Sequence, residues 1–172
     1  MNDNSISIKE AKTFEEIAEI RKDYYRAEER NGFNLKVLLT GGYKTPSHFM
    51  LELIQNAEDA LATEVSISLF NDRLIFFHND KKEFDLDDLK SITGIGNSTK
   101  KQEDNTIGKF GIGFRSVFTI CKRPKVYSPD FCFELRDICV PYNIKREVSF
   151  EKGTHFVVPF ESDEKHTYEI CR

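Results

Sequence analysis

Residues 45–78 read TPSHFMLELIQNAEDALATEVSISLFNDRLIFFH, and this stretch decides the fold. Its first half is helical in pattern. Thr45 can cap, Pro46 suits a first turn where its missing N–H costs nothing, and Met50, Leu53, Ile54, Ala57 and Leu61 recur toward one face, so the helix should run to about Ala62. Its second half is strand-like. Val65–Phe70 and Leu74–His78 are joined by Asn71-Asp72-Arg73, a connection whose length suits an antiparallel hairpin. A helix leading directly into a hairpin predicts a helical layer packed on an antiparallel sheet.

The flanking sequence extends both layers. Upstream, Thr13-Phe14-Glu15-Glu16 has the capping-box pattern, and Phe14, Ile17, Ile20, Tyr24 and Tyr25 continue an amphipathic helix that ends near Arg30 before Asn31-Gly32. A short apolar stretch, Leu35–Leu39, and a break at Gly41-Gly42 follow. Downstream, Asp85–Ile92 reads as a short helix. Strand-like alternation then occupies Pro124–Tyr127, Phe131–Leu135, Glu147–Phe150 and His155–Phe160, with Gly153 in a turn. Helices cluster early and strands late, which predicts an α+β fold: a two-layer sandwich with helices on one face of a largely antiparallel mixed sheet. Residues 1–45 form an N-terminal helical segment on the same domain as the core, 46–172.

The bulk properties narrow the functional classes. A chain of 172 residues can bury one substantial core, and 39% hydrophobic with 31% charged residues is too apolar for disorder. A net charge of −4 excludes a surface that is basic throughout for nucleic acid, although Lys122, Arg123 and Lys125 leave one local patch open. Such a cluster around a proline is more often a solvated turn. Cys121, Cys132, Cys139 and Cys171 have no metal-ligand or disulfide-framework spacing, and His48, His78, His155 and His166 read as structural. No apolar run nears the roughly 20 residues that span a bilayer, and the amino terminus lacks signal-peptide order, so the expectation is a soluble cytoplasmic protein with no membrane partner.

Two segments carry chemistry. Glu52, Asn56 and Asp59 stand at i, i+4 and i+7 of the second helix and share a face. A carboxylate and a carboxamide one turn apart suit orienting a water and offering a neutral oxygen to a hard cation such as Mg²⁺, although a solvated helix face gives the same spacing. Between Gly94 and Gly113 lie five of the nine glycines. Gly108-Lys109-Phe110-Gly111-Ile112-Gly113-Phe114 could turn several backbone N–H groups toward phosphate oxygens, with a helix starting near Phe114 or Arg115. It is not a P-loop, since Phe110 follows Lys109 where Ser or Thr is required, and no βαβ unit surrounds it.

Together these segments resemble the GHKL superfamily of gyrase, heat-shock ATPases, histidine kinases and MutL, whose ATP-binding domain has the Bergerat fold. Leu51–Ala60 (LELIQNAEDA) is similar to that family's N box, and Ile107–Phe118 (IGKFGIGFRSVF) to the second glycine box of the ninety-kilodalton heat-shock chaperones. Gly153-Thr154-His155-Phe156 resembles the later Gly-Thr motif, and Gly96-Asn97-Ser98-Thr99-Lys100 looks most like sacsin-type and plant No-Vein-type relatives. The resemblance implies ATP and ADP as ligands with Mg²⁺. It makes Glu52 the general base, Asn56 the Mg²⁺ ligand and Asp59 part of the pocket. Lys109, Phe110, Gly111, Ile112, Gly113 and Phe114 would wrap the triphosphate at the hinge of a lid that includes Ser98, Thr99 and Lys100, and Thr154 would help bind adenine.

The first glycine box departs from the family. Asn79 is aligned with the aspartate that binds the adenine amino group, and Lys81 and Glu83 replace glycines; Asp80 is adjacent, and Phe84 is expected beside the base. The implied activity is slow Mg²⁺-dependent ATP hydrolysis in which lid closure drives change in a larger assembly. Partners would be a further domain or protein bringing a basic residue to the terminal phosphate, or an ATP-dependent dimer. The rivals are a nucleotide-dependent interaction module with little hydrolysis and a protein kinase; Glu52 disfavours the kinase, because histidine kinases generally lack a carboxylate there.

Overall fold

A computed structural model describes residues 6–32, 34, 48–94, 114–147, 150 and 152–160, with backbone only at His48. The described chain is an α+β two-layer structure. Helix α1 (Phe14–Arg30) precedes α2 (His48–Asp59), then strands β1 (Val65–Leu69) and β2 (Arg73–His78), and the short helix α3 (Leu86–Ile92). A 3-10 helix (Phe114–Thr119) leads to β3 (Lys125–Tyr127), β4 (Cys132–Arg136), β5 (Val140–Asn143) and β6 (Thr154–Pro159). The expected capping box of Thr13 with Glu16 starts α1, and a second, formed by Asp85 with Asp88, starts α3.

The strands form one sheet in the order β1-β2-β6-β3-β4-β5. Every described pairing is antiparallel, in keeping with the expected largely antiparallel sheet. The last strand lies between the β1-β2 hairpin and the β3-β4-β5 meander, pairing Arg73↔Pro159 through His78↔Thr154 on one side and Lys125↔Val157 on the other. Period-two alternation turns Leu74, Phe76, Phe156 and Val158 toward the helices, where Phe49, Leu53, Ala57, Val117 and Phe118 complete the main core. Tyr127, Phe150 and Val157 form a smaller cluster with Ile75 on the other face.

Helix α1 packs on β5 and is stitched to α3 by Arg21. The buried guanidinium donates from Nε to Thr93 Oγ1 at 3.2 Å and from a terminal nitrogen to the Lys90 carbonyl at 3.0 Å, satisfying the C-terminal end of α3.

Several boundaries differ from expectation. In α2 the buried side chains are Phe49, Leu53 and Ala57, whereas Ile54 and Leu61 are 45% and 64% exposed. The helix ends in a Schellman-type turn, with Ala62 N–H bonding the Ala57 carbonyl and Leu61 at φ 54°, so Leu61 leaves the helical face altogether. Of the expected strand Glu147–Phe150, residues 148 and 149 lie outside the described residues, and Glu147 and Phe150 themselves belong to no strand: Phe150 is buried against Tyr127, while Arg146 bonds the carbonyls of Ser128, Pro129 and Phe150. The unforeseen strand is β5, reached through Asp137 and Ile138 at φ 51° and 71°. These placements separate two α2 residues that sequence alone treats in the opposite way. Phe49→Ala should destabilise the chain by about 3–5 kcal/mol and Ile54→Ala by no more than about 0.5 kcal/mol, read from urea unfolding midpoints.

Candidate functional site

Three elements converge where β2 ends. The loop that follows β2 is tied to the end of α2, because Lys81 N–H and Lys82 N–H both donate to the Ala60 carbonyl at 3.2 Å. Gly153, at φ +66°, brings the start of β6 against β2; a Cβ there would lie 2.5 Å from the His78 carbonyl oxygen and 2.5 Å from the Phe77 ring. Only glycine fits that approach. The result is a cleft walled by Asn56, Asp59 and Ala60 of the α2 end, His78, Asp80, Lys82 and Phe84 after it, Asp88 and Ile92 of α3, and Thr154 and Phe156 of β6. Its enclosed space is about 30 Å³, room for a water, so a larger ligand requires the walls to part.

The polar floor of this cleft is incompletely bonded. Thr154 Oγ1 donates to Asp80 Oδ2 at 2.8 Å, which fixes the carboxylate. Asp80 Oδ1 and His78 Nδ1 are shut from solvent and have no hydrogen-bond partner among the described residues. An unbonded buried polar atom costs about 1–3 kcal/mol, so the pair marks a place where a ligand or water completes the structure. His78 is 3% exposed, stacks on Phe156 at 6.0 Å and meets Phe76 edge-on. Burial holds its imidazole below the ordinary range; the Asp80 charge opposes this and His155 adds to it. At the rim, Lys82 Nζ stands 3.3 Å from Asp88, whose carboxyl is pushed up mainly by burial. Asp59 is also raised, first by desolvation and then by Glu58.

Of the expected site residues, Asn56, Asp59, Asp80, Phe84 and Thr154 line this cleft. Asn79, the expected base-reading residue, is not among the lining residues. Its Oδ1 accepts from the backbone N–H of Thr63 and Glu64 at 2.9 and 2.7 Å, and its Nδ2 donates to Thr63 Oγ1, so the amide clamps the chain entering β1. Glu52 is half-buried one turn before Asn56 and is not part of the lining. Phe114 is a core residue, 2% exposed, with its ring 5.6 Å from Phe156 behind the cleft. Ser98, Thr99, Lys100, Lys109, Phe110, Gly111, Ile112 and Gly113 lie outside the described residues.

The sequence reading missed His78, Lys82, Asp88 and Phe156. For His78 the signal was present, since it alternates with Phe76 and Leu74 on the inward face of β2. Lys122 and Arg123 border a separate open cleft with Arg136, but Glu29 and Asp137 share it, so its charge is mixed. No helix among the described residues is long and apolar enough to cross a membrane.

Comparison with known proteins agrees with this architecture. The Sacsin domain family model matches residues 33–140. The protein NO VEIN of Arabidopsis thaliana is 34% identical over 110 residues, covering 61% of this chain and 4% of that protein. Human (Homo sapiens) sacsin is 33% identical over 107 residues, covering 52% of this chain and 2% of sacsin, so the chain spans a small fraction of either relative. A solved structure, the N-terminal domain of a DNA repair protein, aligns with a TM-score of 0.54 at 18% identity over 79% of this chain and 42% of its own, a likeness of fold alone. With residues 33–140 of 172 covered by the family model, the chain belongs to the Sacsin domain family.

Proposed function

We propose that this chain is a GHKL-type ATP-binding domain that hydrolyses ATP slowly with Mg²⁺, its nucleotide state controlling a larger protein or assembly. The observation that carries the reading is Asp80: a carboxylate held by Thr154 through one oxygen, with its other oxygen buried and unbonded at a cleft floor. That oxygen suits an exocyclic amine, the donor that adenine offers and hypoxanthine lacks. Phe84 and Phe156 supply apolar walls for a ring. Asn56, at the α2 side of the cleft, offers one neutral amide oxygen, which suits a cation that takes most of its ligands from water and phosphate. When bound, Mg²⁺ would neutralise charge on the phosphate oxygens. Glu52, on the same helix, would take the proton of the attacking water.

A second reading, nucleotide binding with little hydrolysis, is favoured by the position of Glu52 outside the cleft lining. Phosphate release separates the two. In the hydrolytic reading Glu52→Ala keeps ATP affinity within a few-fold and lowers turnover about 10²–10⁴-fold. Equal release from wild type and Glu52→Ala would leave the binding module.

The base site has its own test. Asp80→Ala removes an acceptor whose hydrogen bond to a ligand amine is charge-assisted, so calorimetric titration should show ATP binding weakened about 10–100-fold. Asn79→Ala should leave affinity within a few-fold while lowering the unfolding midpoint. Unaltered ATP affinity in the Asp80 variant would overturn the site.

His78 gives a pH dependence of stability. Its folded pKa lies below the unfolded value of about 6.5, so on acidification the unfolded state takes up its proton before the folded state does. The stabilisation from the neutral ring is therefore complete above about pH 6.5 and is lost as pH falls through the folded value. His155 is shifted in the same direction, mainly by burial. Urea midpoints should fall from pH 7 to 5.5 in wild type and fall less steeply in His78→Leu, with the residual slope belonging to His155.

A further inference from the structure

The two edges of the sheet are built differently. At one edge β5 carries Pro141 and is packed against α1, two devices that block further strand pairing. At the other edge, β1 reads Val65-Ser66-Ile67-Ser68-Leu69, with no proline, no charge and an unbroken one-to-one register with β2. Val65 and Ile67 are 47% and 50% exposed. Six of the eight large apolar side chains exposed among the described residues fall between Leu51 and Phe70. Among the described residues no further strand pairs with this apolar edge, and an edge of that kind is a template for another strand.

The backbone phase of that edge is fixed by two hydrogen bonds. Asn79 N–H donates to the Glu64 carbonyl and Phe70 N–H to the Arg73 carbonyl, which makes 64/79 and 70/73 hydrogen-bonded pairs. Alternation then assigns 66/77 and 68/75 to the same class and leaves Val65, Ile67 and Leu69 with N–H and C=O groups directed away from β2. Their side chains share the face of their partners His78, Phe76 and Leu74, the face that carries the helices.

We propose that β1 is a self-pairing edge that takes a second copy of this chain, antiparallel, with a two-fold axis through Ile67. In that register Ile67 faces Ile67, Val65 faces Leu69 and Ser66 faces Ser68 of the second copy. Every apolar side chain meets an apolar one and every serine a serine. The outward groups of residues 65, 67 and 69 form about six intermolecular main-chain hydrogen bonds, and two sheets become one. Glu64 falls opposite Phe70, so no like charges face across the axis. This self-complementarity selects a second copy over an unrelated strand. The contact is short, so the dimer is concentration-dependent, and it owes nothing to the nucleotide cleft.

Sedimentation equilibrium of the 172-residue chain without nucleotide tests the proposal. A mass rising toward twice that of the chain is expected in wild type, with Ile67→Lys monomeric at the same concentrations and unchanged in circular dichroism. Residues 66 and 68 of opposite copies would form a non-hydrogen-bonded pair with Cα atoms about 4.5 Å apart, within disulfide reach. Oxidised Ser66→Cys/Ser68→Cys should therefore become a covalent dimer on denaturing gels. Ser66→Cys alone, with its sulfurs on a diagonal about 7–8 Å long, and wild type with its native thiols should not. A wild-type chain that stays monomeric to its solubility limit overturns the proposal, as does a dimer that survives Ile67→Lys. Should Ile67→Lys fail to fold, the cysteine variants decide: bridging by the single variant, or no bridging by the double variant, overturns the register.

Discussion

The rest of the structure depends on the last strand entering the middle of the sheet. Strand β6 pairs with β2 on one side and β3 on the other, so two locally folded units become one sheet only when it arrives. Its entrance is fixed by Gly153, whose missing Cβ lets the turn sit against the His78 carbonyl and the Phe77 ring. Any side chain there would collide with backbone, which cannot move without breaking the β2-β6 ladder. The Gly-Thr pair is thus one device with two parts: the glycine permits the approach, and the threonine that follows uses it to reach Asp80. Strand pairing of such long sequence separation carries a loop-closure cost that the β6 ladders and the core beneath them must offset together.

What the strand brings together is a polar site inside an apolar frame. Phe76 and Phe156 stack around His78. The Asp80 carboxylate lies in the same cleft and accepts a hydrogen bond from Thr154. A fully bonded arrangement would be a structural network, and a fully apolar one would be core. The described arrangement is intermediate, with one carboxylate oxygen and one ring nitrogen left over. Groups left in that state destabilise the fold unless something binds them, which is the physical ground for treating the cleft as a candidate site.

The sequence revealed the layers more readily than the alignment of single residues. Capping chemistry located the start of α1, the short α3 was found to within a residue, and the hairpin was legible from its two apolar runs. The last meander strand was hidden because Pro141 argues against a strand, and because its turn uses Asp137 and Ile138 at positive φ, where glycine or asparagine is the usual signal. In the opposite sense, at the described ends of Glu147–Phe150 the apolar signal reflects the burial of the Phe150 ring against Tyr127. At the site, two neighbouring residues that the sequence offered together are placed apart. Asn79 looks like a substitute for an aspartate, but strand periodicity puts His78 on the inward face and directs Asn79 away from it, so the neighbouring Asp80 is the residue that meets Thr154.

That one-residue alternation also ties the cleft to the sheet edge. Asn79 bonds the backbone at Thr63 and Glu64, the two residues that lead into β1, while Asp80 is the cleft floor. The peptide between them belongs to both. Its N-terminal side chain is held by three hydrogen bonds at the start of the edge strand, and the carboxylate after it is held across the sheet by β6. The loop that follows is held in turn by the Ala60 carbonyl at the end of α2. With so many fixed points within four residues, Asp80 has little freedom to move by itself. Widening of a cleft that now has room for a water must come from the other walls, from Lys82 and Asp88 at the rim and from the end of α3 that Arg21 holds. The hairpin side of the site is therefore its fixed jaw, and the same rigidity keeps the register of β1 defined at the edge.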